Sequence, residues 1–160
     1  LKTGFVGTPF LLHALSQNGY SETAYKLLLQ EEFPSWLYSV NQGATTIWEH
    51  WDGKNEKGEF WSKDMNSFNH YAYGSVADWI YEEACGIKPL EAGFAKIQIA
   101  PKPTDVLDHL CAKIVTKHGT VSSKWYHTDI KIRYEIETPV ESTIIINGTT
   151  HQVPKGKYIF

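Results

Sequence analysis

Residues 130–137 read Ile130-Lys131-Ile132-Arg133-Tyr134-Glu135-Ile136-Glu137, so apolar and charged side chains alternate without a break. Successive side chains of a strand point to opposite faces, and the alternation predicts a strand with one buried and one solvated face. Shorter strand-like runs surround it at residues 110–116, 121–127, 143–146 and 158–160. Asn147-Gly148, between two such runs, predicts a hairpin turn. We therefore predict that residues 104–160 form a small antiparallel β-sandwich.

The N-terminal half carries helical signals instead. Thr8-Pro9 combines an N-cap hydroxyl with a proline suited to the first helical position, and Ser21 predicts the start of a second helix. The longest helical pattern runs from Asn66 to about Ala84 and is apolar on several sides, which is typical of a helix buried between layers. The chain is thus predicted to be α+β, with a helical part at 1–88 and a proline-containing boundary at 89–103.

Composition excludes several classes of function. The net charge is −3 and lysine and arginine form no cluster, so nucleic acid is not an expected partner. The longest apolar runs are only a few residues, which predicts no membrane span. Cys85 and Cys111 form no CxxC pair, and the seven histidines lack zinc-site spacing. We expect neither a metal nor a cofactor.

The chemistry is concentrated in residues 44–52, which read Ala44-Thr45-Thr46-Ile47-Trp48-Glu49-His50-Trp51-Asp52. Indole faces stack on the apolar face of a pyranose, and a carboxylate between them can hold a water that gives up a proton. Trp48 and Trp51 are thus candidates for sugar binding and Glu49 for catalysis. An ordinary aromatic core, with Glu49 as a capping or ion-paired carboxylate, fits the same residues. Trp36 and Trp61 lie in irregular segments, where stacking on a sugar and packing both remain open.

A second carboxylate is needed for glycoside hydrolysis, on the other side of the scissile bond. If residues 44–52 are helical, Glu49 and Asp52 share one face with Cβ atoms about 5 to 6 Å apart, so they cannot flank a sugar. The partner of Glu49 is expected elsewhere. Asn69 and His70 can donate hydrogen bonds to sugar hydroxyls, although His70 also fits the role of a core histidine bonded to the backbone.

Four motifs in this order resemble the α-L-rhamnosidases of glycoside hydrolase family 78. They are Thr3-Gly4-Phe5-Val6-Gly7-Thr8-Pro9 and residues 27–30, 45–52 and 66–74. The resemblance implies that residues 1–86 are the last helices of an (α/α)6 barrel, followed by the family's C-terminal β-domain. It also implies that Glu49 is the general base of an inverting hydrolysis and that His70 contacts the bound rhamnose. The family motif has arginine where this chain has His50, which makes the local charge depend on pH.

The resemblance further implies an incomplete active site, because the family's general acid lies well upstream of Leu1. We expect a C-terminal fragment that is inactive alone and acts on rhamnose-containing glycosides or polysaccharides together with the missing N-terminal part of the same polypeptide. Three alternatives remain: a fragment of another (α/α)6 glycosidase, a sugar-binding module that presents Trp125 and Tyr126, and a purely structural β-half. The aglycone stays open, and so does the choice between a periplasmic, secreted or cytoplasmic location.

Overall fold

The computed structural model describes residues 1–160, which divide into two compact units, Leu1–Ala77 and Asp78–Phe160. The first unit is helical and irregular, and the second consists mainly of strands. The predicted α+β class, with helices before strands along the chain, is therefore confirmed. None of the helices combines the length and the apolar character needed to cross a bilayer.

Three helices open the first unit: α1 at Gly4–Gln17, α2 at Ser21–Leu28 and α3 at Trp36–Asn41. The second begins at Ser21, as predicted, but its N-cap is Tyr20 and no side chain caps it. The prediction that the first begins at Thr8-Pro9 is wrong. The Thr3 carbonyl already accepts a hydrogen bond from the Gly7 N–H at 3.2 Å, so a helical turn forms ahead of the proline. At α3, the Ser35 hydroxyl caps the helix by accepting from the Tyr38 N–H at 3.0 Å.

The predicted continuous helix from Asn66 to Ala84 is wrong in its first part. Helical structure begins only at Ala72, with a 3₁₀ turn at Ala72–Ser75, α4 at Val76–Trp79 and a π-helical turn at Ile80–Ala84. Before it, the Ser67 carbonyl and the His70 N–H bond to a different segment of the chain. Those groups are then not available for the i to i−4 bonds that a helix requires.

Two four-stranded sheets build the second unit. In the first sheet the strands lie in the order β1 (Ile87–Pro89), β2 (Ile97–Ile99), β6 (Ser142–Ile146) and β7 (Thr149–Val153). In the second sheet the order is β3 (His109–Thr116), β4 (Gly119–His127), β5 (Ile132–Thr138) and β8 (Gly156–Ile159). All neighbouring strands are antiparallel except β2 and β6, which run parallel. The predicted limits of the two domains stay a prediction, and residues 89–103, predicted as the boundary between them, contain β2.

The alternation at residues 130–137 gives the predicted two-sided strand. Tyr134 and Ile136 are buried, and Glu135 lies on the other face, where its carboxylate accepts from the Tyr126 hydroxyl at 2.8 Å. Trp125 is fully buried, and its indole N–H donates to the Ala84 carbonyl at 3.1 Å. The hypothesis that the strands present Trp125 to a sugar is therefore wrong.

The predicted hairpin at Asn147-Gly148 is confirmed. Both residues have positive φ, 50° and 78°, and Ile146 pairs with Thr149 across them. A two-residue turn with positive φ at both central positions matches the right-handed twist of the flanking strands, and asparagine and glycine adopt that conformation most readily.

Glu83 is the one charged side chain buried in the second unit, with 1% of its surface exposed. Its carboxylate oxygens accept from the ammonium groups of Lys88 at 2.5 Å and Lys102 at 2.6 Å. Burial pulls the pKa of Glu83 upward, but the two lysine hydrogen bonds outweigh it, and the pKa lies below its ordinary value of 4.5. The carboxylate is thus held ionised inside the unit.

Candidate active site

Two segments that are distant in sequence lie side by side in the first unit. The Glu49 N–H donates to the Ser67 carbonyl at 2.9 Å, and the His70 N–H donates to the Ile47 carbonyl at 2.9 Å. These two bonds run in opposite directions between the segments, as in an antiparallel strand pair. The main chain therefore fixes Glu49 and His70 on neighbouring segments, although the sequence separates them widely.

The hydroxyl of Thr46 adds a third bond to this pairing, because it donates to the Phe68 carbonyl. Thr46 and Phe68 belong to the two motifs that carry the predicted site residues, so all three bonds join those motifs. Both motifs are evident in the sequence, but no pattern in it predicts that their main chains pair.

Glu49 does not lie on a helix, because residues 44–52 form bends and a turn that the Gly53 N–H closes on the His50 carbonyl at 3.0 Å. The helical spacing considered for Glu49 and Asp52 therefore does not apply. The Glu49 side chain is 29% exposed, and its Oε1 lies 4.0 Å from Nε2 of His50. It is a water-accessible carboxylate with a histidine ring beside it.

The charge of Asp52 affects the phenol of Tyr38. Burial, followed by the negative charges of Glu56 and Asp52, raises the pKa of the Tyr38 phenol. The phenol is then a neutral group at ordinary pH. That the second catalytic carboxylate comes from elsewhere stays a prediction.

The predicted sugar-binding tryptophans pack tightly. Trp36, Trp48 and Trp51 are only 7%, 7% and 9% exposed. The Trp51 ring stacks on Tyr73 at 3.8 Å between centroids and meets the edge of Trp36 at 5.3 Å, while the Trp36 indole donates to the Tyr73 carbonyl at 2.8 Å. All four rings line a cavity of about 60 Å³. A direct contact of these tryptophans with a sugar stays a prediction.

His70 is positioned by α1 and by its own chain. Its ring stacks on Phe5 with centroids 4.8 Å apart, and its Nδ1 faces the Ala72 N–H at 3.4 Å. An Nδ1 that accepts a hydrogen bond leaves the proton of the neutral ring on Nε2. Asn69, the preceding residue, is exposed. Both side chains therefore have donors available for a hydroxyl-rich ligand.

Trp61 differs from the other five tryptophans of the chain. It is 49% exposed, whereas the others are at most 9% exposed. Its ring stacks on His50 with centroids 3.7 Å apart and planes 14° apart. The sequence is compatible with both core packing and sugar stacking for Trp36 and for Trp61. In the structure Trp36 is buried and Trp61 is exposed.

Two family models match the chain. The bacterial alpha-L-rhamnosidase 6 hairpin glycosidase domain matches residues 1–84, and the bacterial alpha-L-rhamnosidase C-terminal domain matches residues 86–157. An alpha-L-rhamnosidase of Formosa agariphila is 45% identical over 150 residues, which are 94% of this chain and 16% of that protein. One from Streptomyces avermitilis is 46% identical over 125 residues, 78% of this chain and 12% of that protein.

Solved structures give the same result. The Streptomyces avermitilis alpha-L-rhamnosidase complexed with L-rhamnose superposes with a TM-score of 0.90 at 34% identity, covering 98% of this chain and 17% of that one. The native enzyme of Aspergillus terreus gives 0.89 at 36% identity, covering 98% and 19%. The chain thus spans less than a fifth of the length of these relatives. The predicted resemblance, and the order of a helical-hairpin domain before a β-domain, are confirmed.

Proposed function

The chain belongs to the bacterial α-L-rhamnosidase family, and we propose on this premise that it supplies the general base for hydrolysis of terminal α-L-rhamnosides. The L-rhamnose in the Streptomyces avermitilis structure supports this choice of sugar. Because the chain spans less than a fifth of its relatives, the activity belongs to a longer polypeptide. That polypeptide supplies the acid, and the 160 residues alone are inactive.

Glu49 carries the central step. It removes a proton from a water molecule while the water oxygen bonds to the anomeric carbon of the rhamnosyl group. The bond from that carbon to the leaving oxygen breaks, and a carboxylic acid outside this chain protonates the leaving oxygen. Attack on the face opposite the leaving group converts the α-linked substrate into β-L-rhamnose, so the reaction inverts configuration.

The observation that carries this proposal is the main-chain pairing that joins Glu49 to His70. The Glu49 N–H donates to the Ser67 carbonyl and the His70 N–H to the Ile47 carbonyl, both at 2.9 Å. These bonds fix the main chain of the proposed base relative to that of His70, the residue proposed to bind the sugar. Such preorganisation is worth more in a transition state than a flexible contact. At 29% exposure, the Glu49 side chain remains open to water.

The remaining predicted residues have binding roles in this proposal. Nε2 of His70 and the side-chain amide of Asn69 donate to rhamnose hydroxyls. The packed rings of Trp48, Trp51 and Trp36 form a rigid apolar wall behind the site.

The test uses the complete polypeptide that contains this chain and a nitrophenyl α-L-rhamnoside. Glu49→Gln removes the proton acceptor without changing the side-chain shape, and turnover should fall by at least about a hundredfold. Asp52→Asn is the matched control and should lose far less. Near-normal turnover by the Glu49→Gln enzyme, or an equal loss in both variants, would reject Glu49 as the base.

A further inference from the structure

Trp61 offers an aromatic surface that the proposed reaction leaves unused. It is the one tryptophan among six with a largely accessible side chain, 49% exposed. Water-exposed indole is costly, since large apolar side chains are normally buried. In this chain the exposed indole lies next to His50, the neighbour of the proposed base.

A hairpin at residues 53–61 carries this tryptophan. Within it, Oδ1 of Asn55 accepts from the N–H groups of Lys57 at 3.0 Å and Glu59 at 2.9 Å, and the Asn55 side-chain amide donates to the Glu59 carboxylate at 2.9 Å. One asparagine thus satisfies the polar groups of the turn. The hairpin is a built structure, stabilised by its own hydrogen bonds.

The base of the hairpin is fixed as well. The Gly53 carbonyl accepts from the Trp61 N–H at 3.2 Å and from the Asn66 side-chain amide at 2.8 Å. The main chain of Trp61 is therefore anchored to the start of the hairpin.

The side chain points one face of its ring toward the proposed base. That face stacks on His50, 3.7 Å between centroids, and Nε2 of His50 lies 4.0 Å from Oε1 of Glu49. A single imidazole ring thus separates the indole from the catalytic carboxylate. The other face of the indole carries the exposed surface of Trp61.

The charge around Trp61 favours an uncharged ligand. Residues 53–64 contain three lysines and three carboxylates, so the segment has no net charge. A neutral pyranose requires an apolar stacking surface and gains nothing from a charged field.

We propose that the free face of Trp61 stacks on the second ring of the substrate, a neutral pyranose that bears the scissile rhamnosyl group. This inference rests on the proposed function and specifies which rhamnosides the site prefers: those whose aglycone begins with a sugar.

The test compares two substrates with the complete polypeptide: a disaccharide of α-L-rhamnose linked to glucose, and methyl α-L-rhamnoside, which has no second ring. Trp61→Ala should lower kcat/KM for the disaccharide by about fivefold, mainly through KM, and leave the methyl glycoside nearly unchanged. Trp61→Phe should restore most of the loss. Phe60→Ala is the matched control, because Phe60 is 59% exposed on the same hairpin but faces Phe68, 5.7 Å away.

Each other outcome overturns the inference. An equal loss on both substrates assigns Trp61 to support of His50 and Glu49, and equal effects of Trp61→Ala and Phe60→Ala assign it to hairpin stability. Full retention of disaccharide preference in Trp61→Ala removes it from recognition. Failure of the proposed function is distinguishable, because the wild-type polypeptide would then hydrolyse neither rhamnoside.

Discussion

Replacing Glu83 with glutamine should destabilise the second unit strongly. The carboxylate is 1% exposed and accepts from two ammonium groups at 2.5 and 2.6 Å, whereas a glutamine side chain presents one acceptor and one donor to the same two lysines. Removing one member of a buried ion pair costs about 3 to 5 kcal/mol. Lys88 and Lys102 keep 28% and 35% of their side-chain surfaces exposed and can partly turn to solvent, so we expect about 3 kcal/mol.

The assay is equilibrium urea unfolding of the 160-residue chain near pH 7, followed by tryptophan fluorescence and circular dichroism. Glu91→Gln is the matched control, since its salt bridge with Lys96 at 2.9 Å is about half exposed on both sides. Exposed pairs contribute little, so this variant should unfold almost like the wild type. A loss for Glu83→Gln no greater than that of Glu91→Gln would refute the reasoning.

The pH dependence has a definite sign. The folded-state pKa of Glu83 lies below its ordinary value of 4.5, so its stabilisation is fully present above that value and is lost as the pH falls through the folded pKa. The difference in unfolding free energy between wild type and Glu83→Gln should therefore shrink below pH 4.5. A difference that grows on acidification would contradict the assignment.

Two further predictions concern the second unit. Gly86→Ala should lower the free energy of unfolding by more than about 2 kcal/mol, because Gly86 has a φ of 75° and a Cβ there would lie 2.1 Å from the Ala100 carbonyl carbon. Gly148→Ala is the control: Gly148 has a similar φ but open space around it, so the cost should be only about 1 to 2 kcal/mol, and equal losses in urea unfolding would refute the steric argument. Burial, with a smaller contribution from Cys111, raises the pKa of the Cys85 thiol to about 12. A thiol reagent near pH 8 should therefore modify only the exposed Cys111 in the folded chain, and both cysteines after denaturation. Rapid modification of two thiols in the folded chain would contradict this prediction.

Sequence patterns predicted what local chemistry determines. The alternation at Ile130–Glu137 identified β5, although the strand begins at Ile132, and Asn147-Gly148 identified its turn, because both signals depend on neighbouring residues. The sequence predicts neither Ile87–Pro89 nor Ile97–Ile99 as a strand. Each has only three residues, and their pairing partners are distant or lack a turn signal.

The site shows the same limit. The sequence identifies Glu49 and His70 as candidates, but the apolar pattern that begins at Asn66 predicts a helix. The hydrogen bond from the Glu49 N–H to the Ser67 carbonyl overrides that helical preference. The tryptophans were equally ambiguous, since the difference between buried Trp36 and exposed Trp61 depends on tertiary contacts alone.

Chemical rescue tests the central claim, that Glu49 activates the attacking water, most directly. In the complete polypeptide, Glu49→Ala should hydrolyse an aryl α-L-rhamnoside at least about a hundredfold more slowly than the wild type. Azide is already an anionic nucleophile and needs no base, so adding it should restore turnover and yield β-L-rhamnosyl azide, identified by its NMR coupling constants. Hydrolysis by Glu49→Ala at the wild-type rate in the absence of azide would contradict the account. So would a rhamnosyl azide product with the α configuration.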